Sequence, residues 1–185
     1  MRLFHISENG NIPFFEPKPS PSFFPELKED VVFAISETLV HNYLVPRDCP
    51  RVTYYVGENT TQRDIDHFVG ETSAKYIMAV ESRWIDALCK TTLYCYEFPI
   101  QSFRLLDACA GYYVSRVKTY PLHVTRIDDL LQALAVRNVE LRFMPSLQRL
   151  ANAVKVSTLN FSLIRMRNAQ EELDPSNKPR TPEPK

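Results

Sequence analysis

The sequence predicts an α+β chain built on a mixed, mainly antiparallel sheet structure with short helices. Three observations carry that expectation. Short runs of β-branched and aromatic residues recur along the chain. The helical stretches between them are too short to act as the regular crossovers of a parallel sheet. The composition is that of an ordinary globular chain, with 44% hydrophobic and 24% charged residues among 185.

Taken in order, Leu3–Ile6 lie in an apolar run closed by the turn signal SENG, which predicts a first strand over residues 2–6. Residues 11–30 are rich in proline and phenylalanine, and proline forbids a regular helix or a central strand there. Phe14, Phe15, Phe23 and Phe24 predict a loop packed on the body, with residues 13–24 either a cover for a site or a structural wrap. VVFAI at 31–35 reads as a buried strand. Ser36 is expected to cap the short helix SETLVHNYL, which stops at Pro46. RVTYYV at 51–56 is the next strand. A helix capped by Thr60 or Thr61 follows, with Ile65 and Phe68 facing inward and Gly70 ending it.

AKYIMAV at 74–80 is a strand, and ESRWIDALCK a short helix burying Trp84, Ile85 and Leu88. LYCYEF at 93–98 alternates as a strand does. GYYVSR at 111–116 and YPLHVTRI at 120–127 are two more, with Pro121 favouring an edge or a strand start. Asp128 and Asp129 suit the first turn of IDDLLQALAVRN. VELRFM at 139–144 is a strand, and Pro145 is expected at the first helical position of PSLQRLANAV. LNFSLIRMRN fits strand and helix alike. Residues 1–172 are expected to form one globular domain, and 173–185 a disordered proline-rich tail.

The formal net charge is zero, which speaks against a general nucleic-acid binder or a membrane-surface protein. No apolar run approaches the length of a membrane span, and the first residues lack the pattern of a signal peptide. A cytoplasmic location is the expectation. The four cysteines lack the spacing of a zinc or redox site, so no metal is expected. Cys89 and Cys95 read as small core residues. The oligomeric state is not encoded in any pattern here.

No phosphate loop, dinucleotide fingerprint, zinc-protease motif or nucleophile elbow is present. With four glycines, anion binding would fall to side chains or helix N-termini. His5, inside the first strand, is either a satisfied structural histidine or a neutral imidazole at a cleft, bonding a ligand hydroxyl. Arg47 in PRDCPR either forks onto a phosphate, held by Asp48, or pairs with Asp48 to fix the loop. Asp107 is a turn former or a site carboxylate. Tyr112 and Tyr113 point to opposite faces of their strand, and Tyr113 is taken as the one that walls a pocket and stacks on a flat ring. Arg165 and Arg167 form a basic stripe or a solvated face. Glu81 is a helix-start neighbour or a catalytic acid.

The strings LFHIS, PRDCPRV, AGYYVS and IRMRNA resemble a family of uncharacterised bacterial proteins, a domain of unknown function, over nearly the whole chain except the tail. The order of His5, VVFAISETLVHNYL, LYCYEFPIQSFRLLD and YYVSRVKTYPL also resembles small ADP-ribosyltransferase folds of the rifamycin-modifying type, whose site uses a histidine, a tyrosine and an acidic residue. That resemblance implies NAD as substrate, His5 as the first-strand histidine and Asp107 as the acid. The family's second-strand tyrosine is missing. Phe33 is the nearest aromatic residue; it stacks on a nicotinamide ring but donates no hydrogen bond. On that basis His5 would hold ribose hydroxyls, Asp107 would stabilise an oxocarbenium-like sugar, and Arg47 would hold pyrophosphate. Three functions follow: an NAD- or nucleotide-acting transferase or hydrolase, a non-catalytic nucleotide-binding module of the same fold, and a structural or partner-binding protein.

Overall fold

A computed structural model describes residues 1–20, 24, 25 and 27–171. Phe23 and the segment expected as a tail lie outside the described residues.

Among the described residues, ten strands form two sheets. The first has six strands: β1 (Leu3–Ser7), β2 (Val32–Ser36), β5 (Leu93–Phe98), β6 (Arg104–Asp107), β7 (Tyr112–Ser115) and β8 (His123–Ile127). Their order is β6-β7-β2-β1-β5-β8, antiparallel throughout. The second holds β3 (Arg51–Tyr55), β4 (Tyr76–Glu81), β9 (Val139–Met144) and β10 (Asn160–Ile164) in the order β10-β3-β4-β9. Only its β4-β9 pair is parallel. The mainly antiparallel α+β expectation therefore holds. β8 is an edge strand, in keeping with Pro121 just before it.

Alternation along the strands sorts the core into layers. Phe4 and Ile35 of the first sheet meet Tyr76, Met78 and Val80 of the second, with Leu39, Val40 and Leu44 between them. Leu88 of α2 (Ile85–Lys90) and Leu130 and Leu134 of α3 (Leu130–Ala135) close this central layer. The second sheet's other face, with Val52, Tyr54, Ile77 and Ala79, packs on Leu147, Ala151 and Val154 at α4 (Gln148–Lys155). The first sheet's outer face, with Leu3, Val32, Ala34, Tyr96 and Phe98, is covered by Ile12 and Phe15 of the proline-rich segment. Backbone bonds tie that segment down, Phe15 pairing with Thr119 and Lys18 with Val31. It is a wrap fixed by its own backbone, so its first half is not a free lid.

Several local expectations are corrected. SETLVHNYL forms a 3-10 helix over Glu37–Tyr43, and Ser36 ends β2 without capping it, its hydroxyl bonding Thr38. Thr61 does cap the next helix, α1 (Gln62–Asp64), through Asp64 N–H, and the turn widens to a π-helix over Ile65–Val69 before Gly70. Pro145 stands outside α4, which begins at Gln148. Ile85 is 40% exposed and Cys89 is exposed, because the six-residue α2 turns only Leu88 fully inward. LNFSLIRMRN is both things at once, strand β10 followed by a 3-10 turn over Met166–Asn168. Among the described residues, no helix is long and apolar enough to cross a membrane.

Candidate functional site

The first sheet contains a break in its pairing. β1 runs alongside β5 over all five residues, and β2 alongside β7 over four. Between β1 and β2 only Leu3↔Ser36 and Phe4↔Ile35 pair. Beyond that point the two central strands part, and their backbone groups need other partners.

His5 stands at the parting. Its Nδ1–H donates to the Phe33 carbonyl at 3.3 Å. A carbonyl can only accept, so Nδ1 carries the hydrogen and Nε2 of the neutral ring is left as an acceptor. Phe15 lies against the imidazole at 4.7 Å between ring centres and Phe98 at 6.2 Å. Burial lowers the imidazole's pKa and the charge of Arg47 lowers it further. His5 is thus neutral at pH 7 and within the electrostatic reach of Arg47. The Arg47 backbone N–H donates to Glu8 Oε1 at 2.9 Å, tying the PRDCPR loop to the residue just past β1.

Phe33 itself faces the other side of the sheet. Its ring approaches Phe24 at 6.0 Å and Tyr112 at 6.3 Å, the latter edge-on. The Tyr112 hydroxyl meets that of Tyr43 at 2.8 Å. Behind Tyr43 lies Arg51, which is 2% exposed, its guanidinium 5.2 Å from the Tyr43 ring centre. Arg51 Nε donates to Asn42 O at 2.8 Å and Nη1 to Cys49 O at 2.9 Å. Arg165 Nε reaches Arg47 O at 3.3 Å and stands 3.9 Å from Asp48 Oδ1. Phe33, Tyr112, Tyr43 and Arg51 therefore form one aromatic and cationic cluster between the sheets, on the face opposite to His5.

Of the residues singled out in the sequence, His5 lies within electrostatic reach of Arg47 and bonds the Phe33 backbone carbonyl, while the Phe33 ring lies on the opposite face. Asp107 stands apart. It pairs with Tyr112 at the far edge of the sheet, so three strand spacings, roughly 14 Å at about 4.8 Å each, separate its strand from that of His5. Residues directly opposite in a ladder share a face, so the succession Phe4, Ile35, Tyr112, Asp107 puts Asp107 on the face opposite to His5. Its Oδ1 accepts from Ala110 N at 3.0 Å, closing the turn into β7. The expectation of a His5 and Asp107 pair is corrected accordingly: Asp107 is the turn former.

Tyr113 also points away, packing on the outer face with its hydroxyl on Met1 Sδ. Tyr112 takes the place beside Phe33 that Tyr113 was expected to hold. Glu81 is fully buried and ties Arg83 to the segment around Gln170: it accepts from Arg83 Nε at 2.8 Å and from Gln170 N at 2.6 Å. Tyr43 and Arg51 were not singled out in the sequence. The available signal was an arginine opening the apolar strand RVTYYV, a position where a cation is rarely fully buried without a reason.

Comparison with known proteins gives one match. The model of a family of unknown function, DUF6886, covers residues 4–169. No curated protein and no solved structure matches.

Proposed function

Since the chain belongs to that family of unknown function, its chemistry has to come from its own residues, and we propose that it binds a nucleotide of the NAD or ADP-ribose class at the parting of β1 and β2. The parted ladder is the observation that carries this reading. Two central strands of an otherwise continuous sheet separate beside a neutral histidine, an aromatic ring against it and the nearby charge of Arg47.

Each part suits a portion of such a ligand. His5 Nε2 would accept from a ribose hydroxyl, with Nδ1 anchored on Phe33 O. The ring of Phe15, 4.7 Å from the imidazole on the same face, would stack on a flat base or nicotinamide ring, and Phe33 would orient His5 through its carbonyl. Arg47 is exposed and would meet phosphate. The fold would then be ADP-ribosyltransferase-like, serving as a binding module. Glycosyl transfer from NAD needs a carboxylate against the sugar, and Asp107 is committed to its turn. A catalytic reading has Glu8 to work with, three residues past His5 and already bonded to the Arg47 N–H.

Thermal shift with NAD, ADP-ribose and adenosine phosphates tests the reading. A ligand at a hundredfold excess over its dissociation constant should add about 2.7 kcal/mol, and His5→Ala should abolish the effect. Stability unmoved by every one of these ligands overturns it. Release of nicotinamide that disappears in Glu8→Gln would promote the module to an enzyme.

A further inference from the structure

The open end of the β6-β7 ladder is a cleft. Arg104 and Val114 are the last pair of that ladder. Beyond them β6 is entered from the 3-10 turn Ile100–Ser102, and β7 leaves through the bend at Arg116 and Val117. A cavity of about 600 Å³ opens between the two, the size of a small-molecule site. Its floor is the buried Val114, and Phe103 and Val117 add apolar wall. The polar lining is Gln101, Ser102, Arg104 and Arg116, with no carboxylate among them.

The two arginines differ in what holds them. Arg116 Nε stands 3.0 Å from Glu29 Oε2, so its charge is balanced while the two terminal nitrogens of its fork stay available. The turn that carries it is fixed by its own bonds. Val117 N–H donates to Ser115 Oγ at 3.3 Å, the Thr119 hydroxyl donates to Val117 O at 3.0 Å, and the Thr119 backbone pairs with that of Phe15. Ser115 and Thr119 are both buried. The position of Arg116 is therefore set before any ligand arrives, which lowers the cost of binding one.

Arg104 is exposed and, among the described residues, makes no hydrogen bond, ion pair or ring contact. Asp107, the carboxylate of the same strand, is occupied with Ala110 N–H at the other end of the hairpin. With Arg116 balanced by Glu29, the cleft carries one net positive charge. A phosphate monoester, at about −1.5 to −2 near pH 7, exceeds that charge. A carboxylate matches it, and its two oxygens fit the planar guanidinium fork. The apolar floor and walls ask for a hydrocarbon body behind the charged group.

We infer that this cleft binds a small organic acid, a carboxylate carried on an apolar body. Arg104 takes the carboxylate, the free nitrogens of Arg116 give it a second contact, and Val114, Val117 and Phe103 receive the body. The site shares no residue with the nucleotide site proposed at His5 and does not depend on it.

Titrations followed by ligand-observed nuclear magnetic resonance test it, with benzoate and hexanoate as probes and hexanamide and phenyl phosphate as comparators. The wild-type chain should bind both acids, and hexanamide at least about tenfold more weakly, the scale of a lost charge-assisted hydrogen bond. Arg104→Gln should weaken both acids by a similar factor and Arg104→Lys by less, with melting temperatures unchanged because Arg104 bonds nothing in the fold. Arg63→Gln, which alters an arginine lining a different cavity, should leave binding as it is. Glu29→Gln removes the balancing charge, so it should tighten both acids and bring phenyl phosphate up to their level. Binding of neither acid at millimolar concentration, hexanamide binding as well as hexanoate, or acids indifferent to Arg104→Gln overturns the site. Phenyl phosphate held more tightly than benzoate by the wild-type chain overturns the choice of a carboxylate.

Discussion

His5 and Phe33 are joined where their strands part: the imidazole Nδ1–H donates to the Phe33 carbonyl at 3.3 Å, two residues beyond the last β2 residue that pairs with β1. The bond does for the open end of the β1-β2 ladder what a backbone N–H does elsewhere. His5→Ala leaves a part-buried carbonyl unsatisfied, at a cost of about 1–3 kcal/mol. His5→Asn, which retains a donor on a shorter side chain, should recover part of it. Urea unfolding of the two variants checks the order.

A different histidine governs stability at mild acid. His41 is 1% exposed, stacked on Tyr76 at 4.0 Å, and burial lowers its pKa to about 4. A base whose pKa is lower folded than unfolded binds fewer protons when folded. Its contribution is therefore complete above the unfolded value near 6.5 and is lost as pH falls toward 4. At about 1.4 kcal/mol per pH unit, the loss is of order 3 kcal/mol. Urea midpoints measured from pH 7 to pH 4 should fall, and His41→Phe should flatten the slope. His5, lowered as well, adds to the slope in the same direction.

Two glycines with the same backbone should respond differently to alanine. Gly70 has φ 70° and Gly111 φ 68°, so each substitution carries the left-handed penalty of about 1 kcal/mol. At Gly70 nothing lies within 4 Å of the added Cβ. At Gly111 the Cβ would meet Ser36 Oγ at 2.5 Å and Leu39 Cδ1 at 3.0 Å. The Gly111 carbonyl also accepts from Ser36 N–H, and Gly111 precedes Tyr112. Gly111→Ala should therefore cost clearly more than Gly70→Ala in thermal melts. It alone should disturb the Tyr112 ring, visible as altered tyrosine fluorescence or near-ultraviolet dichroism.

These cases also mark how far the sequence could be read. The strands were legible because their residues declare themselves locally: VVFAI, LYCYEF and VELRFM are β-branched or aromatic and bounded by turn residues. RLLD at β6 is not, being four residues on a sheet edge with Arg104 and Leu105 exposed. His5, Phe33 and Arg47 were singled out by residue type and resemblance. The partner of His5 was not, because ladder register is a long-range property. Whether Asp107 faces His5 depends on three successive pairings and a bulge between Leu105 and Asp107. The choice of Tyr113 over Tyr112 failed for the same reason. Alternation assigns the two to opposite faces, yet only the β2-β7 register says which face Phe33 shares.

The last prediction concerns Arg142, which locks the π-helical turn onto the second sheet. Its Nη1 donates to Tyr54 Oη at 2.8 Å and Phe68 O at 2.7 Å, its Nη2 to Val69 O at 2.9 Å, and its Nε to Glu140 at 2.7 Å. One planar fork thus satisfies two carbonyls at the end of a helix that has no further turn to receive them. Lysine keeps the charge but not the fixed fork, so it can serve one or two of these acceptors and not all four. Arg142→Lys should cost about 2 kcal/mol, and Arg142→Met more, since it also leaves Glu140 without its cation. The loss should be local before it is global. Amide exchange should accelerate first across 65–70, while the central strands β4 and β9 retain their protection. Uniform acceleration through both sheets would mean that the fork stabilises the whole fold and has no special hold on the turn.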